Sequence, residues 1–276
     1  MPELPEVETV CRSLRQCVLN KKIMSVQISL TKIIKQPTAD EFAKKITGLE
    51  IVDIKRRGKY ILIELEQEMV LVVHLRMTGK LLWQQRQETI GKHTHIVLQL
   101  DNDWDLRFDD TRQFGAMYLV AKTELEQISG LHTLGLEPLG NDFTWEAFTA
   151  LTNGKKQKAK VFLLDQRYVA GIGNIYADEI LFQAGIHPET LINVLEEEEL
   201  HRLWLAIVDR LEQGIKYGGS SIKDYVDSFG NAGTFQEHHK VYGKGGQACV
   251  KCGAVIEKIK IGGRSTCYCP ICQKRK

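Results

Sequence analysis

The chain opens Met1-Pro2-Glu3-Leu4-Pro5-Glu6-Val7-Glu8-Thr9-Val10, and the loss of one residue turns that opening into a nucleophile. Initiator methionine is commonly trimmed before a small residue, which leaves the secondary amine of Pro2 at the chain end. An α-amino group titrates near ~8 and a lysine near ~10.4, so at neutral pH the terminal amine is unprotonated about two orders of magnitude more often. Such an amine adds to the aldehyde carbon of a sugar and forms a Schiff base. A secondary amine gives an iminium that has no N–H proton to lose and therefore remains an electron sink. Glu3 stands one residue away, where it can move protons. The same residues also read as an ordinary helix start, with proline near the first turn and Glu3, Glu6 and Glu8 favoured by the helix dipole. The two readings are compatible.

Five of the seven cysteines crowd into the last 28 residues. Cys249-x-x-Cys252 and Cys269-x-x-Cys272, with sixteen residues between the pairs, have the spacing of a four-thiolate zinc site, in which two tight turns each present two sulfurs to a tetrahedral ion. Cys267 is a fifth thiol, and alternation along a strand points it to the same face as Cys269. Only Cys269 and Cys272 repeat the spacing of the first pair, so Cys267 is left outside the metal shell. Cys11 and Cys17 fall on the apolar side of the first helix and read as buried, inert thiols.

A net charge of +2 says little until it is divided along the chain. Between Lys240 and Lys276 nine basic residues face one acid, Glu257, and further basic clusters lie at Lys55-Arg56-Arg57-Gly58-Lys59 and Lys155-Lys156-Gln157-Lys158-Ala159-Lys160. Clustered cations of this kind suggest a polyanion as partner. The acidic run Glu196 to Glu199 reads as a solvated helix start. Gly171-Ile172-Gly173-Asn174 resembles part of a dinucleotide fingerprint, but Tyr176 occupies the last glycine position and no βαβ unit surrounds it. The segment reads either as a plain helix cap or as a helix opening whose N–H groups, with the Asn174 amide, seat a phosphate. In His74-Leu75-Arg76-Met77-Thr78-Gly79 and Asp110-Thr111-Arg112-Gln113-Phe114-Gly115, a large side chain sits beside a glycine turn with arginine nearby. Met77 and Phe114 taken singly read as core residues; beside the basic clusters they read as wedges that enter a duplex when a base is extracted.

These groups need elements to hold them. Leu4, Val7, Val10, Cys11, Leu14 and Val18 recur at helical spacing and predict a helix to about Leu19. Strand patterns follow at 25–30, 60–65, 69–75, 95–100 and 116–120, with short turns between them, which implies antiparallel meanders in a sandwich or barrel. Helical periodicity then takes over at 159–165, 175–185 and 198–217. The expected class is α+β, divided at 1–135, 136–240 and 241–276, the last segment too short for its own core and relying on its metal. No transmembrane stretch or signal peptide is present, so a cytoplasmic location is expected.

Taken in order, the opening decapeptide, Arg57-Gly58-Lys59-Tyr60, His74 to Gly79, Asp110 to Gly115, Leu163-Leu164-Asp165-Gln166, Ala170 to Glu179, Gly233-Thr234-Phe235-Gln236, Val241-Tyr242-Gly243 and the cysteine spacing resemble the bacterial formamidopyrimidine-DNA glycosylases over the whole chain. Leu4 stands where the endonuclease VIII-like branch, which prefers oxidised pyrimidines, carries glycine, and this favours the purine branch. The resemblance implies a β-sandwich N-terminal domain, a helix-two-turn-helix domain and a zinc-finger β-hairpin. It implies a monomeric base-excision enzyme that removes 8-oxoguanine and formamidopyrimidines from double-stranded DNA and then cleaves the abasic site. Pro2 would attack C1′, with Glu3 shuttling the proton; Lys59 would serve β-elimination and Arg264 δ-elimination, although either also reads as a simple phosphate contact. His74, His93, Arg112, Lys156, Asn174, Tyr242 and Lys258 would bind DNA, and Met77, Arg112 and Phe114 would fill the gap left by the flipped nucleotide. Gly218 to Gly233 would form a loop over the extruded base. Two residues depart from the family pattern: Gln113 replaces a usual basic residue, and Cys267 replaces a usual histidine or aromatic. The rival reading is a non-catalytic zinc protein that binds damaged DNA.

Overall fold

The computed structural model describes residues 1–276. Helix α1 spans Leu4–Cys17 and is followed by strand β1 (Ile23–Ile28), β2 (Ile34–Gln36), helix α2 (Ala39–Ile46) and strands β3 (Ile51–Arg57), β4 (Tyr60–Leu65), β5 (Met69–His74), β6 (Gly79–Gln85), β7 (Thr94–Leu100), β8 (Trp104–Asp110) and β9 (Ala116–Ala121). Then come α3 (Ser129–His132), α4 (Trp145–Thr152), α5 (Ala159–Leu164), α6 (Asn174–Ala184), α7 (Glu197–Lys216), and the hairpin β10 (Glu257–Ile261) and β11 (Arg264–Tyr268).

The strands form a four-stranded sheet in the order β1-β7-β8-β6, a five-stranded sheet in the order β2-β9-β5-β4-β3, and the two-stranded hairpin. Every pairing is antiparallel except the short β2–β9 contact. One apolar core joins Ile61, Ile63, Leu71, Val73 and Met117 of the larger sheet to Leu81, Ile96, Leu98, Leu106 and Phe108 of the smaller one, with Val7, Val10, Cys11 and Leu14 of α1 in the same cluster. This is the sandwich expected from the alternating segments. In β4 the period of two is plain, Ile61, Ile63 and Leu65 being buried. In β5, at the centre of its sheet, four consecutive residues from Val70 to Val73 are buried, because both faces of a central strand are covered.

The chain folds as two compact units, Met1–His132 with Tyr217–Thr234 and Thr133–Lys216 with Phe235–Lys276. That differs from three consecutive segments divided at 135 and 240. Residues 217–234 join the first unit through their backbone: the Ser220 amide donates to Glu6 Oε1 at 2.7 Å, the Ser228 amide to Ser13 Oγ at 3.2 Å, and the Trp83 amide to the Ser228 carbonyl at 2.8 Å. The cysteine-rich segment has no isolated core either. Cys249, Ile256, Cys267 and Cys269 share a cluster with Phe182 of α6 and Val241.

Four strands, β2, β3, β6 and β8, and two helices, α2 and α3, beyond those expected complete the first unit. β3 and β8 escape the alternation rule because they are mixed with charged residues, and Asp105, Arg107 and Asp110 of β8 are all buried. β6 opens on Gly79-Lys80 and ends in two glutamines, which leaves Leu81, Leu82 and Trp83 as a short apolar run with no alternation. Helix α2 does carry a signature, the Thr38-x-x-Glu41 capping box: Thr38 Oγ1 accepts from the Glu41 amide and Glu41 Oε2 accepts from the Thr38 amide, both at 3.3 Å.

Within the second unit, α6 and α7 pack closely at Gly214, where an added Cβ would lie 2.5 Å from the Tyr176 ring. Tyr176 is fully buried and stacked on Phe235 at 5.2 Å, so it has nowhere to retreat. In an exposed helix Gly→Ala is stabilising by about 1 kcal/mol; here overpacking, at about 1–3 kcal/mol, reverses the sign. Gly214→Ala is therefore expected to lower the melting temperature, and a rise would show that the helix pair adjusts freely.

Candidate active site and metal centre

Glu3 is the N-cap of α1, with extended backbone (φ −101°, ψ −174°), and Pro2 precedes the helix. The Glu3 amide donates to Glu6 Oε2 at 2.7 Å, while the other oxygen of Glu6 takes the Ser220 amide. Tyr225 Oη donates to the Glu6 carbonyl at 3.1 Å. Met1 is half exposed, whereas Pro2, Glu3 and Glu6 are buried. The Glu3 side chain accepts the Glu6 amide in return, closing a capping box, and the helix dipole favours negative charge at this end.

Helix α1 also fixes the lysine turn. Arg15 Nε donates to the Ile54 carbonyl at 2.7 Å, Cys11 Sγ lies 3.6 Å from the Lys55 carbonyl oxygen, and Arg56 Nε pairs with Glu8 at 3.0 Å. Falling numbers on α1 meet rising numbers on β3, so the strand runs toward the Pro2 end of the helix. There Gly58 (φ +55°) and Lys59 form the two-residue turn into β4, with Arg57 paired to Tyr60. Lys59 is buried, at 7% exposure.

His74 ends β5 and is buried against Tyr60, ring to ring at 4.5 Å. Its Nδ1 accepts the Arg76 amide at 3.0 Å, which leaves the hydrogen of the neutral ring on Nε2. Burial, aided by the positive charges of Arg76 and Lys59, pushes its pKa down to about 3. His74 is thus held as a neutral ring that carries its hydrogen on Nε2.

Met77, Arg112 and Phe114 come together. An Arg112 Nη lies 2.9 Å from Met77 Sδ, and the guanidinium sits 5.0 Å from the centre of the Phe114 ring. All three are exposed, Met77 at 44% and Phe114 at 54%, so the core reading of these residues does not hold. Their loops are tied to one buried carboxylate. Asp110 accepts from Thr78 Oγ1 at 2.5 Å, from the Arg112 amide at 3.2 Å and from the Gly115 amide at 2.7 Å. His93 is exposed on the segment before β7, and its carbonyl accepts the Asp110 amide at 2.9 Å.

In the second unit, Arg264 is exposed and follows the Gly262-Gly263 turn, whose φ values of +54° and +75° suit a tight hairpin. The backbone beside it is clamped. Asn174 Nδ2 donates to the Ser265 carbonyl at 2.9 Å, the buried Lys160 ammonium donates to the same oxygen at 3.2 Å, and the Cys267 amide donates to Asp178 at 3.0 Å. Lys160 and Asp178 pair at 2.6 Å. One hydrogen of the Asn174 amide is therefore engaged with the hairpin rather than held open for an anion. Lys258 on β10 and Lys156 before α5 are exposed. Tyr242, half-buried, rests edge-on against His239 at 5.5 Å. The segment leading to it is held by Glu179, a buried carboxylate that accepts the amides of Lys240, Val241 and Tyr242 at 2.9–3.0 Å.

The sulfurs of Cys249, Cys252, Cys269 and Cys272 lie within 4.8 Å of one another. Sulfurs bound ~2.3 Å from a tetrahedral ion sit about 3.8 Å apart, and the Cys249–Cys272 and Cys252–Cys269 separations are 3.9 and 3.4 Å. The donor set fits one structural zinc. The Lys251 and Cys272 amides point at Cys249 Sγ and Cys269 Sγ, at 3.4 and 3.5 Å, as thiolate-stabilising donors. Cys267 is outside this group and packs in the apolar cluster.

Sequence reading passed over Glu6, Asp110, Glu179 and Arg107. Glu6 was legible only as a dipole acid; the partners of the others are mostly main-chain groups, which residue type and spacing do not mark.

Two outcomes are expected. Zinc removal by chelation should disorder residues 245–276 and abolish DNA binding while amide exchange in the β-rich unit stays slow; retained binding after verified metal loss would contradict this. His74, and His239 with its pKa lowered to about 4, stay neutral when folded but take up a proton near pH 6.5 when unfolded. Stability should therefore fall as pH drops below 6.5, by up to about 1.4 kcal/mol per pH unit for each histidine. His74→Asn should flatten that slope, as read from melting temperatures between pH 7.5 and 5.

Three family models match consecutive parts of the chain: the formamidopyrimidine-DNA glycosylase N-terminal domain over residues 1–117, its H2TH domain over 134–226, and a zinc finger found in FPG and IleRS over 246–275. A formamidopyrimidine-DNA glycosylase from Pelotomaculum thermopropionicum is 45% identical over 276 residues, covering 100% of both chains. Solved structures of Lactococcus lactis Fpg with DNA containing an abasic site and with Fapy-dG DNA superpose with TM-scores of 0.93 and 0.91 at 38% identity, each covering 99% of this chain and 100% of theirs. The chain belongs to the formamidopyrimidine-DNA glycosylase family.

Proposed function

We infer that the protein excises oxidised purines from duplex DNA and then cleaves the resulting abasic site. The observation that carries this reading is the placement of Pro2 immediately before a core-buried helix, with Glu3 at its N-cap and the lysine turn at the same end. Removal of the exposed Met1 leaves the Pro2 nitrogen as a secondary amine. The amine attacks C1′, the C1′–N9 bond breaks, and the base departs with a proton. Glu3 is suited to deliver a proton to the ring oxygen O4′ as the C1′–O4′ bond breaks, which opens the sugar and leaves the Pro2 nitrogen joined to C1′ as an iminium. The iminium makes the C2′ hydrogen acidic; its removal expels the 3′ phosphate by breaking C3′–O, and a second elimination breaks C5′–O. Lys59 and Arg264 are the cations proposed beside the two leaving phosphates, where charge develops. The neutral Nε2–H of His74, the exposed Lys156 and Lys258 and the half-buried Asn174 and Tyr242 are proposed as backbone contacts, and the Met77–Arg112–Phe114 cluster as the filler of the vacated stack. The 217–234 segment, bonded through Ser220 to Glu6, is suited to report an extruded base to the catalytic end of the helix. A cytoplasmic location is proposed with this reading, because the substrate is duplex DNA; no helix is long and apolar enough to cross a membrane.

Borohydride reduction during reaction with an 8-oxoguanine duplex should trap a covalent adduct on protein whose mature N-terminus is Pro2. Glu3→Gln should lower the trapping rate by roughly two orders of magnitude, the usual share of a positioned acid. A DNA-binding protein with a verified Pro2 terminus that forms no adduct would leave the non-catalytic reading standing.

A further inference from the structure

Residues 86–93 connect β6 to β7 without regular secondary structure and cover the outer face of the four-stranded sheet. Beneath them lies Arg107 of β8, with no solvent exposure. Its guanidinium lies within 3.3 Å of the carbonyl oxygens of Gln85, Arg86, Glu88 and Thr89, and it pairs with the buried Asp105 at 3.0 Å. Asp105 also accepts Arg86 Nε at 3.3 Å. An aliphatic side chain would cover this sheet face without the desolvation cost of a buried ion. What the guanidinium adds is a planar fork that gathers the carbonyls of one irregular segment and fixes its path. That segment ends at His93, whose own carbonyl is held by the Asp110 amide while its ring is exposed.

We propose that Arg107 is a positioning residue for DNA binding: it holds the 86–93 segment so that His93 meets the DNA backbone without ordering the loop at the moment of encounter. The proposal rests on the reading of His93 as a DNA contact. It assigns Arg107 a role in affinity and none in the chemical step, because a preformed loop lowers the ordering cost of association. Lysine cannot replace it, since one ammonium on a flexible stem reaches fewer of these oxygens.

The test is a double-mutant cycle with full-length, zinc-loaded protein and a lesion-bearing duplex. His93→Ala should weaken binding about fivefold, the loss of one hydrogen bond, and Arg107→Lys should weaken it by a similar factor. The double variant should be no weaker than either single one, while the single-turnover rate of Arg107→Lys at saturating duplex stays within about twofold of the parent. Amides 86–94 should exchange faster in Arg107→Lys, with β7 and β8 unchanged. Should Arg107→Lys fail to fold, Asp105→Asn, which removes the carboxylate that orients the guanidinium, takes its place with the same expectations. Losses that multiply, or a well-folded Arg107→Lys that binds as the parent does while His93→Ala binds weakly, would overturn the proposal alone. A His93→Ala protein with parental affinity would overturn the His93 reading and the proposal with it.

Discussion

The arrangement at the start of the chain depends on the carboxylate of Glu6. A carboxylate buried at 1% exposure is tolerable only when its oxygens are filled by donors. Those donors include two backbone amides 217 residues apart, those of Glu3 and Ser220. The first sets the backbone just after the proposed nucleophile. The second draws in the 217–234 segment, in which Gly218, Gly219 and Gly230 take positive φ. Gly219 has no alternative there, because a Cβ would come within 2.8 Å of the Glu6 side chain.

The same device recurs. Asp110 gathers the loops that carry Met77, Arg112 and Phe114, and Glu179 gathers the three amides that lead to Tyr242. Asp178 holds β11 through the Cys267 amide, with burial lifting its carboxyl to about 6 against the pull of Lys160. In each case an expensive buried charge forces an irregular segment into the one conformation that satisfies it. Met77, Arg112 and Phe114 are exposed and chemically ordinary; the placement of their loops is delegated to a carboxylate that never meets solvent. Preorganisation of this kind is what positioning and electrostatic catalysis both require.

Much of this was legible in the sequence, for identifiable reasons. Tyr60–Leu65 and Asn174–Ala184 appear where apolar periodicity places them, and the paired cysteines appear as a compact four-sulfur cluster because their spacing encodes tight turns. Helix α1 ends at Cys17, two residues short of the expected end, a boundary shift of ordinary size. β8 was not legible, because Trp104-Asp105-Leu106-Arg107-Phe108-Asp109-Asp110 reads as polar while its charges are buried in pairs. Nor were Glu6 and Glu179: a carboxylate whose partners are main-chain amides far along the chain leaves no mark in residue type or spacing. The pairing of Met77 with Phe114 was legible only from their company, since either side chain alone reads as core and it is the glycine turns and basic clusters beside them that read as a wedge.

The buried seat of Pro2 beside a half-exposed Met1 has a practical side. On the proposed reaction the nucleophile is a chain end, so it cannot be supplied by any residue in the interior of a polypeptide. An affinity handle, a reporter or a misplaced start codon ahead of Pro2 would give a folded protein that binds lesions and never opens the sugar. Fusions belong at the other end, where Lys276 lies on the surface, tethered only to Glu196 and Glu199. Methionine excision is then a maturation step, and newly made chains are silent binders until it occurs.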